Sequence, residues 1–355
     1  MNPTPSAPGN RAIAVWLLTC CFLVFAMISI GGITRLTHSG LSIVEWQPVV
    51  GTLPPLSDAQ WEETFAKYRK TPEYIEVNQG MNLDSFKGIF WWEYFHRLLG
   101  RVIGVVFLLP LLWFAWRGNI ERRLLPRLFG IFLLGGMQGA MGWYMVASGL
   151  VDDPRVSQYR LTAHLSLAFL IYAAMFWLAM DLLYPKPSGN SVRGRLGYGR
   201  SHAWAILILV SMMVITGGFV AGIRAGKAYN TFPLMNGNVF PPELFLLEPW
   251  YLNFFNNMAT VQFDHRLIAW ILALVVPWFW LRMRTTGVPA RARQGSNWLL
   301  LLLAAQVTLG IATLLLVVPV PLAAAHQTCA VLVFSAALYV LHALENSWTR
   351  RPSPL

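Results

Sequence analysis

Four histidines carry the clearest chemical signal in this sequence. His96, His164, His265 and His326 each lie inside a long apolar run. An ionisable side chain within such a run is costly in a membrane and is by default a functional hypothesis. Because the four recur as two pairs at similar positions, the pattern favours ligands over isolated histidines that merely satisfy local structure.

Two histidines from two helices suit one kind of ligand. Zinc requires three or four His, Cys or carboxylate ligands converging on one point, and the three cysteines lie in apolar runs without a metal-binding spacing. Axial ligation of an iron porphyrin needs one imidazole on each face, and the interior of a helix bundle is a usual place for it. The sequence therefore predicts two porphyrin sites, one formed by His96 and His164 and the other by His265 and His326.

One ionisable group distinguishes the two predicted sites. Glu93 precedes His96 by three residues, so we expect both side chains on one helix face. At the equivalent position before His265 the sequence has Gln262, which cannot ionise. A carboxylate beside only one porphyrin predicts that this site does chemistry while the other holds a redox or structural cofactor. The alternative is that Glu93 pairs with a nearby arginine as a salt bridge.

Basic residues near these histidines suit the binding of porphyrin propionates, because the planar fork of Arg matches a carboxylate. The alternative is that they snorkel to the membrane interface. Those next to the histidines or at neighbouring helix ends are Arg35, Arg97, Arg101, Arg224, Lys227 and Arg266, and two of them, Arg97 and Arg101, are also the candidate partners of Glu93.

The composition places these side chains in a membrane protein. Of 355 residues, 56% are hydrophobic and 12% are charged, against about 45–50% and about 25% in soluble domains. This excludes a soluble enzyme, a disordered chain and a disulfide scaffold. Eight apolar runs reach the length of about 20 residues that a bilayer requires; they are 12–34, 89–116, 124–147, 160–183, 202–224, 259–281, 296–318 and 322–345.

The basic residues predict the orientation of these spans. Fifteen of the 27 Lys and Arg lie on one side, nearly all in short loops. The positive-inside rule makes that side cytoplasmic, with both termini there and the four histidines toward the outer face. The net charge of +11 then reflects topology, and nucleic-acid binding is excluded.

The long outer loop 35–88 contains a helix signal of its own. Ser57 and Gln60 resemble a capping box, and Trp61, Phe65 and Tyr68 follow at helical spacing. We expect a short amphipathic helix that lies either on the membrane surface or against the outer face of the protein itself.

The chain is internally repeated, since four motifs recur in the same order. They are the glycines of 31–32 and 217–218, the His-Arg-Leu of 96–98 and 265–267, the Gln-containing stretches 136–142 and 305–310, and the histidines 164 and 326. With four spans in each repeat, both halves enter from the same side. We predict an all-α integral membrane protein of eight transmembrane helices, as two parallel-repeat four-helix bundles. Their ranges are 1–183, a linker 184–200, and 201–355, and we expect small residues on the third and seventh spans to permit close backbone approach.

These motifs together resemble the heme A synthase family. The matching stretches are GGITRLT at 31–37 with SGLS at 39–42, EYFHRLLGR at 93–101, RAGKAYNTFPLM at 224–235 and QFDHR at 262–266. With His164 and His326 they cover nearly the whole chain. No Cys lies between 35 and 88, which makes the chain similar to the bacterial group closest to the mitochondrial enzyme.

The resemblance implies an oxidoreductase that converts the methyl group at porphyrin position 8 of heme O to the formyl group of heme A, for aa3-type terminal oxidases. It implies that His96 and His164 hold the substrate heme, with Glu93 in a catalytic role. It also implies that His265 and His326 ligate heme B as cofactor, so that the substrate site falls in 1–183 and the heme B site in 201–355.

The resemblance further implies a bacterial inner membrane location and a supply of heme O from a heme O synthase. The sequence identifies neither the electron donor nor the oligomeric state, and a homo-oligomer is open. Two rival functions are a di-heme b-type electron-transfer cytochrome and a transporter; the first would not need Glu93 in one half only, and the second would have helices broken at mid-membrane.

Overall fold

A computed structural model describes residues 8–45, 50–150, 156–185, 191–193, 197–285, 287–346 and 348–350. These residues form twelve α-helices: α1 (Pro8–Leu36), α2 (Asp58–Tyr68), α3 (Pro72–Glu76), α4 (Leu83–Trp116), α5 (Leu125–Gly149), α6 (Gln158–Leu183), α7 (Gly197–Gly222), α8 (Ala225–Ala228), α9 (Asn253–Asn256), α10 (Met258–Arg282), α11 (Ala290–Leu315) and α12 (Val320–Glu345). Two short strands, β1 (Ser191–Arg193) and β2 (Trp348–Arg350), pair antiparallel.

Eight of these helices are long and apolar enough to cross a membrane, namely α1, α4, α5, α6, α7, α10, α11 and α12. The predicted all-α membrane fold with eight spans is thereby confirmed. Helix α4 differs from its prediction because it begins at Leu83 rather than at 89. The side chain of Asn82 caps it by accepting a hydrogen bond from the Ser85 amide. His96 therefore lies one to two turns further from its helix start than the other three histidines do.

The long helices pack in the same way in both halves. In the first half, α1 contacts α4 and α6, and α5 contacts α4 and α6; in the second, α7 contacts α10 and α12, and α11 contacts the same two. The halves meet through α1 with α12 and through α6 with α7. One continuous apolar core runs through α1, α6, α7, α10 and α12, so the halves share their interior.

Glycine permits the closest approach between the halves at one end of the α6–α7 contact. A Cβ atom built on Gly222 would lie 2.5 Å from Cβ of Gln158, and one on Gly218 would lie 2.7 Å from Oγ1 of Thr162. The expectation of close backbone approach on the third span is wrong for Gly136 and Gly139, since no atom lies within 4 Å of a Cβ built there. Those two glycines are exposed on α5 and face outward.

The outer loop packs on the protein itself. The predicted capping box is present, with the Ser57 and Gln60 side chains bonded to each other's backbone. The apolar face of α2 is buried against α4, which confirms the second of the two expected placements. The six buried aromatic side chains of this cluster are Trp61, Phe65, Tyr68, Phe86, Phe90 and Tyr94.

The pairing of β1 with β2 holds the α6–α7 connection and the segment after α12 at the same end of the molecule. Four spans, α7, α10, α11 and α12, separate these two segments, and an even number of spans returns the chain to the same side. The predicted linker 184–200 and the tail after 346 fall partly outside the described residues, as do the basic residues Lys186, Arg195 and Arg351 counted there.

Candidate functional site

Each of the four histidines packs on a glycine of the helix that precedes its own among the long helices. The space between the imidazole and the glycine backbone is tighter than ordinary van der Waals contact with a Cβ atom would allow. A Cβ atom built on the glycine would lie 3.1 Å from the imidazole for Gly31 and His96, 3.3 Å for Gly142 and His164, 3.3 Å for Gly217 and His265, and 2.8 Å for Gly310 and His326.

The structure brings the histidines together in the two expected pairs. The imidazoles of His96 and His164 interact electrostatically, and so do those of His265 and His326. All four side chains remain partly exposed although they lie well inside long helices. Each half thus offers two imidazoles, from two different helices, beside space that the protein's own side chains do not fill.

Two glutamines at repeat-equivalent positions accompany one histidine of each pair, and the sequence-based prediction assigned them no role. The Gln138 amide nitrogen lies 3.3 Å from Nε2 of His164, and that of Gln306 lies 3.5 Å from Nε2 of His326. The Oε1 atoms of both glutamines are buried and have no hydrogen-bond partner among the described residues. The recurrence of Gln in the repeated motif was the signal that could have found them.

The second half also fixes the orientation of its imidazoles. Nδ1 of His265 lies 2.9 Å from Oγ1 of Thr216, and Nδ1 of His326 lies 3.2 Å from the Gln306 carbonyl oxygen. A hydrogen bond at Nδ1 sets the tautomer of a ligating histidine. In His265 this leaves Nε2 as the atom directed to a ligand, whereas Nε2 of His326 also lies 3.5 Å from the Gln306 amide nitrogen.

Glu93 is fully engaged as a buried ion pair. Its Oε1 accepts from Nε and Nη2 of Arg97, at 3.0 and 2.6 Å, and its Oε2 accepts from the Ser42 hydroxyl and the Ile43 amide, at 2.7 and 2.8 Å. Its side chain is 2% exposed. The geometry therefore shows the salt bridge that the sequence analysis left as the alternative, with Arg97 as the partner.

The arginine that follows the first histidine of each pair binds the loop after the preceding long helix. Arg97 donates to the carbonyl oxygens of Ile43 and Glu45, at 2.8 and 3.1 Å. Its repeat-equivalent, Arg266, donates to Tyr229 at 2.9 Å and Leu234 at 3.4 Å. The second half lacks the carboxylate, and there Nε of Arg266 is buried without a partner among the described residues.

A cationic cluster lies where the two halves meet. Arg35 donates to the carbonyl oxygens of Ala221 and Gly222 across the α1–α7 boundary, and Nη2 of Arg224 lies 3.4 Å from Nδ1 of His38. Burial together with Arg224, Arg35 and Lys227 lowers the pKa of His38 to about 4. Three positive charges surrounding a neutral imidazole make this a place where an anionic group is favoured.

The remaining candidate cation and the two other histidines occupy separate positions. Arg101 lies one turn beyond Arg97 on α4 and is partly buried. His202 makes an edge-to-face contact with Trp278, with ring centroids 4.6 Å apart. The side chain of His342, in the last turn of α12, is fully buried, and its Nε2 lies 3.1 Å from Oδ1 of Asp181; the density of packing around α12 cannot be inferred from its apolar sequence.

The donor set fits heme better than a metal ion alone. Among the described residues, no group of three or more His, Cys, Asp or Glu side chains converges as a metal site, and Cys20, Cys21 and Cys329 are free and buried. Each half instead offers two imidazoles on two different helices, each packed on a glycine, and two imidazoles are a ligand set that heme iron accepts. The glutamine next to one histidine of each pair also has a buried Oε1 atom without a partner among the described residues.

Known proteins resemble this chain over nearly its full length. The sequence pattern of a family described as cytochrome oxidase assembly protein matches residues 14–338. A heme A synthase of Nitrosospira multiformis is 63% identical over 340 residues, covering 95% of this chain and 94% of that protein. Heme A synthases of Nitrosomonas eutropha and Rhodospirillum centenum are 56% and 52% identical, covering 97% and 99% of this chain and 98% and 93% of those proteins.

Proposed function

Because the chain belongs to the heme A synthase family of cytochrome oxidase assembly proteins, we propose that it oxidises the position-8 methyl group of heme O to the formyl group of heme A. The product would serve the assembly of aa3-type terminal oxidases. The observation that carries the proposal is the pair of matched imidazole sites; among the described residues only the first has a fully buried carboxylate, Glu93, on the same helix as one of its histidines.

The first half is the substrate site in this proposal. His96 on α4 and His164 on α6 would hold the iron of heme O through their imidazoles. Gly31 and Gly142 let each imidazole lie directly on the neighbouring helix backbone, so neither ring can rotate freely. Gln138 orients the second imidazole through its amide nitrogen.

The second half holds heme B, which when bound supplies a one-electron carrier beside the substrate site. His265 and His326 are its ligands, and their Nδ1 atoms are held by Thr216 and by the Gln306 carbonyl. Fixed imidazole planes suit electron transfer, since a ligand set that changes little between oxidation states needs little reorganisation.

Propionate binding is assigned to basic residues beside the histidines and at the boundary of the halves. Arg97 is left out because its Nε and Nη2 donate to the buried carboxylate of Glu93. Arg224 and Lys227 are exposed at the boundary of the halves, while Arg101 and Arg266 lie next to the histidines of their own half. We assign the propionates to these four cations.

Glu93 has a structural part in the chemistry of the first site. Two of its hydrogen bonds, from Ser42 and Ile43, tie α4 to the segment after α1, and the other two hold Arg97, which itself donates to carbonyl oxygens of that segment. A buried pair of this kind is expensive to break, at about 3–5 kcal/mol when one partner is removed. We propose that this clamp keeps the substrate methyl in place and excludes bulk water.

The same proposal places the protein in a bacterial inner membrane, with both termini cytoplasmic and both heme sites toward the outer face. Eight apolar helices support a multi-pass membrane protein, and the β1–β2 pairing supports a shared side for the α6–α7 connection and the carboxy-terminal segment. A heme O synthase would supply the substrate, and the electron partner and oligomeric state stay open.

Expression in a host that makes heme B only, with or without a heme O synthase, tests the function. Extracted pigment should contain heme A only when heme O is supplied. Heme B alone under both conditions would instead support the di-heme cytochrome, a function that the comparisons do not favour.

A further inference from the structure

Glu73 is a buried carboxyl group that has no assigned role in either heme site. It lies on the short helix α3 in the outer loop and is 4% exposed. Its Oε2 atom is buried and has no hydrogen-bond partner among the described residues. A buried polar atom left unpaired is costly, so its retention calls for an explanation.

Three helices present charged or titratable groups to Glu73. Arg35 of α1, Glu93 of α4 and Tyr68 of α2 all interact with it electrostatically. Arg35 follows Gly31, the residue beneath His96, by one helical turn, which is about 5 Å along the axis. Glu73 therefore interacts with the end of α1 that extends one turn beyond the glycine beneath His96.

The two buried carboxyl groups differ in their partners. Glu93 accepts four hydrogen bonds, two of them from the Arg97 guanidinium. Oε2 of Glu73 has no partner among the described residues. Glu73 is therefore the carboxyl group with an open position for a proton.

We propose that Glu73 takes up the protons released when the methyl group is oxidised at the His96 site and passes them to the solution on the loop side. Each two-electron step would break one C–H bond of the methyl group, form one C–O bond to water and release two protons, while the electrons would leave through the heme B of the second half to an electron acceptor. Glu73 accepts the protons one at a time, becoming the neutral acid, and returns each to water; this residue transfers no electron. The proposal rests on the assignment of the substrate heme to the first half, and leaves Glu93 as a positioning residue.

The surroundings of Glu73 suit this role. Burial and the nearby Glu93 raise the pKa of Glu73 to about 8, against the opposing effect of Arg35. An acid–base group works best when its pKa lies near the operating pH, because it then both accepts and releases protons. Glu73 is neutral below about pH 8 and ionised above it, so turnover limited by proton uptake should rise through that range.

Infrared spectroscopy of the purified full-length protein tests the titration without any turnover. Wild type should show a protonated-carboxyl band that shifts in D₂O and disappears with a midpoint near pH 8. The band should be missing in Glu73→Gln and retained in Glu76→Gln, a matched control because Glu76 is exposed on the same helix. A wild-type protein without such a band, or a band that survives in Glu73→Gln, would overturn the proposal.

Rates of heme A formation from heme O complete the test. Glu73→Gln should keep its bound heme, lose roughly 10²-fold in rate and show no rise near pH 8, while Glu76→Gln behaves as wild type. A Glu73→Gln protein with the wild-type rate and pH profile would overturn the inference. Failure of the wild type itself to convert heme O would instead overturn the proposed function. If Glu73→Gln loses its heme, its rate does not report on proton transfer, and the infrared titration of the wild type then tests the proposal.

Discussion

Gly142 lies directly beneath the imidazole of His164, and a Cβ atom built on it would stand 3.3 Å from Cε1. The same relationship holds between three more glycines and histidines, once for each predicted ligand. Glycine at these four positions is therefore a condition for the orientation of the imidazoles, and substitutions there should act on heme binding before they act on folding.

Gly142→Ala should weaken heme binding in the first half. The added methyl group must displace the His164 ring by a few tenths of an ångström, and overpacking of this kind costs about 1–3 kcal/mol. Heme content and the absorption spectrum of the bound heme measure the effect. Gly139→Ala is the matched control, because it lies on the same helix and faces open space; equal loss in both variants would show that α5 is merely intolerant of alanine.

Gly310→Ala should have a larger effect, and in the other half. Its Cβ atom would stand only 2.8 Å from Cε1 of His326, so the imidazole must move further than in Gly142→Ala. We expect loss of heme B or a shift of its midpoint potential in a redox titration. An unchanged heme B spectrum and potential would contradict the ligand assignment of His326.

Glu93→Gln should retain heme B and slow heme A formation strongly. Glutamine cannot form the ion pair with Arg97, and its amide nitrogen would oppose the Ile43 amide, which now donates to Oε2. Because the resulting disorder lies at the first site, heme B content should not change. A variant that makes heme A at the wild-type rate would refute the role of this clamp.

Gly222→Ala should destabilise the contact between the two halves. The new methyl group would meet the Gln158 backbone, whose Cα atom would lie 2.7 Å away, and backbone cannot move aside cheaply. Overpacking should cost about 1–3 kcal/mol, visible as a lower thermal midpoint in detergent. Gly139→Ala again serves as the control, and a Gly222→Ala midpoint equal to it would show that α6 and α7 separate freely.

His38 should make stability fall as the pH drops below neutral. Its folded-state pKa is lowered to about 4 from an ordinary value of 6.5, so between those values the unfolded chain binds a proton that the folded protein does not. His38→Asn removes this group, and Asn tolerates the positive φ of 54° found there. Thermal midpoints of the variant should fall less steeply from about pH 7 to about pH 4; identical slopes would contradict the cationic surroundings.

The sequence predicted the fold and the histidine pairs for a physical reason. Ionisable side chains stand out within apolar runs, and the repeat makes chance recurrence of His96 with His265, and of His164 with His326, improbable. The same reasoning named both interpretations of Glu93 but could not decide between them, because the decision depends on the path of segment 42–45, which belongs to no periodic element.

Other site features could not be read from the sequence. Glu73 stands in a loop among other charged residues and resembles a surface carboxylate until α2 and α3 are seen to fold over α4. The contact of each glycine with its histidine could not be predicted, because it depends on how each helix is rotated about its own axis. The burial of His342 likewise depends on packing across α6 and α12 rather than on any local pattern.

The central claim is that His96 and His164 hold heme O and that His265 and His326 hold heme B. Pigment should be extracted and identified from purified wild type, a His96→Ala/His164→Ala variant and a His265→Ala/His326→Ala variant, each expressed with a heme O source. We predict that the first variant keeps heme B and holds neither heme O nor heme A, while the second lacks heme B and retains unconverted heme O. Loss of heme B from the first variant with retention in the second would contradict the assignment of the two halves.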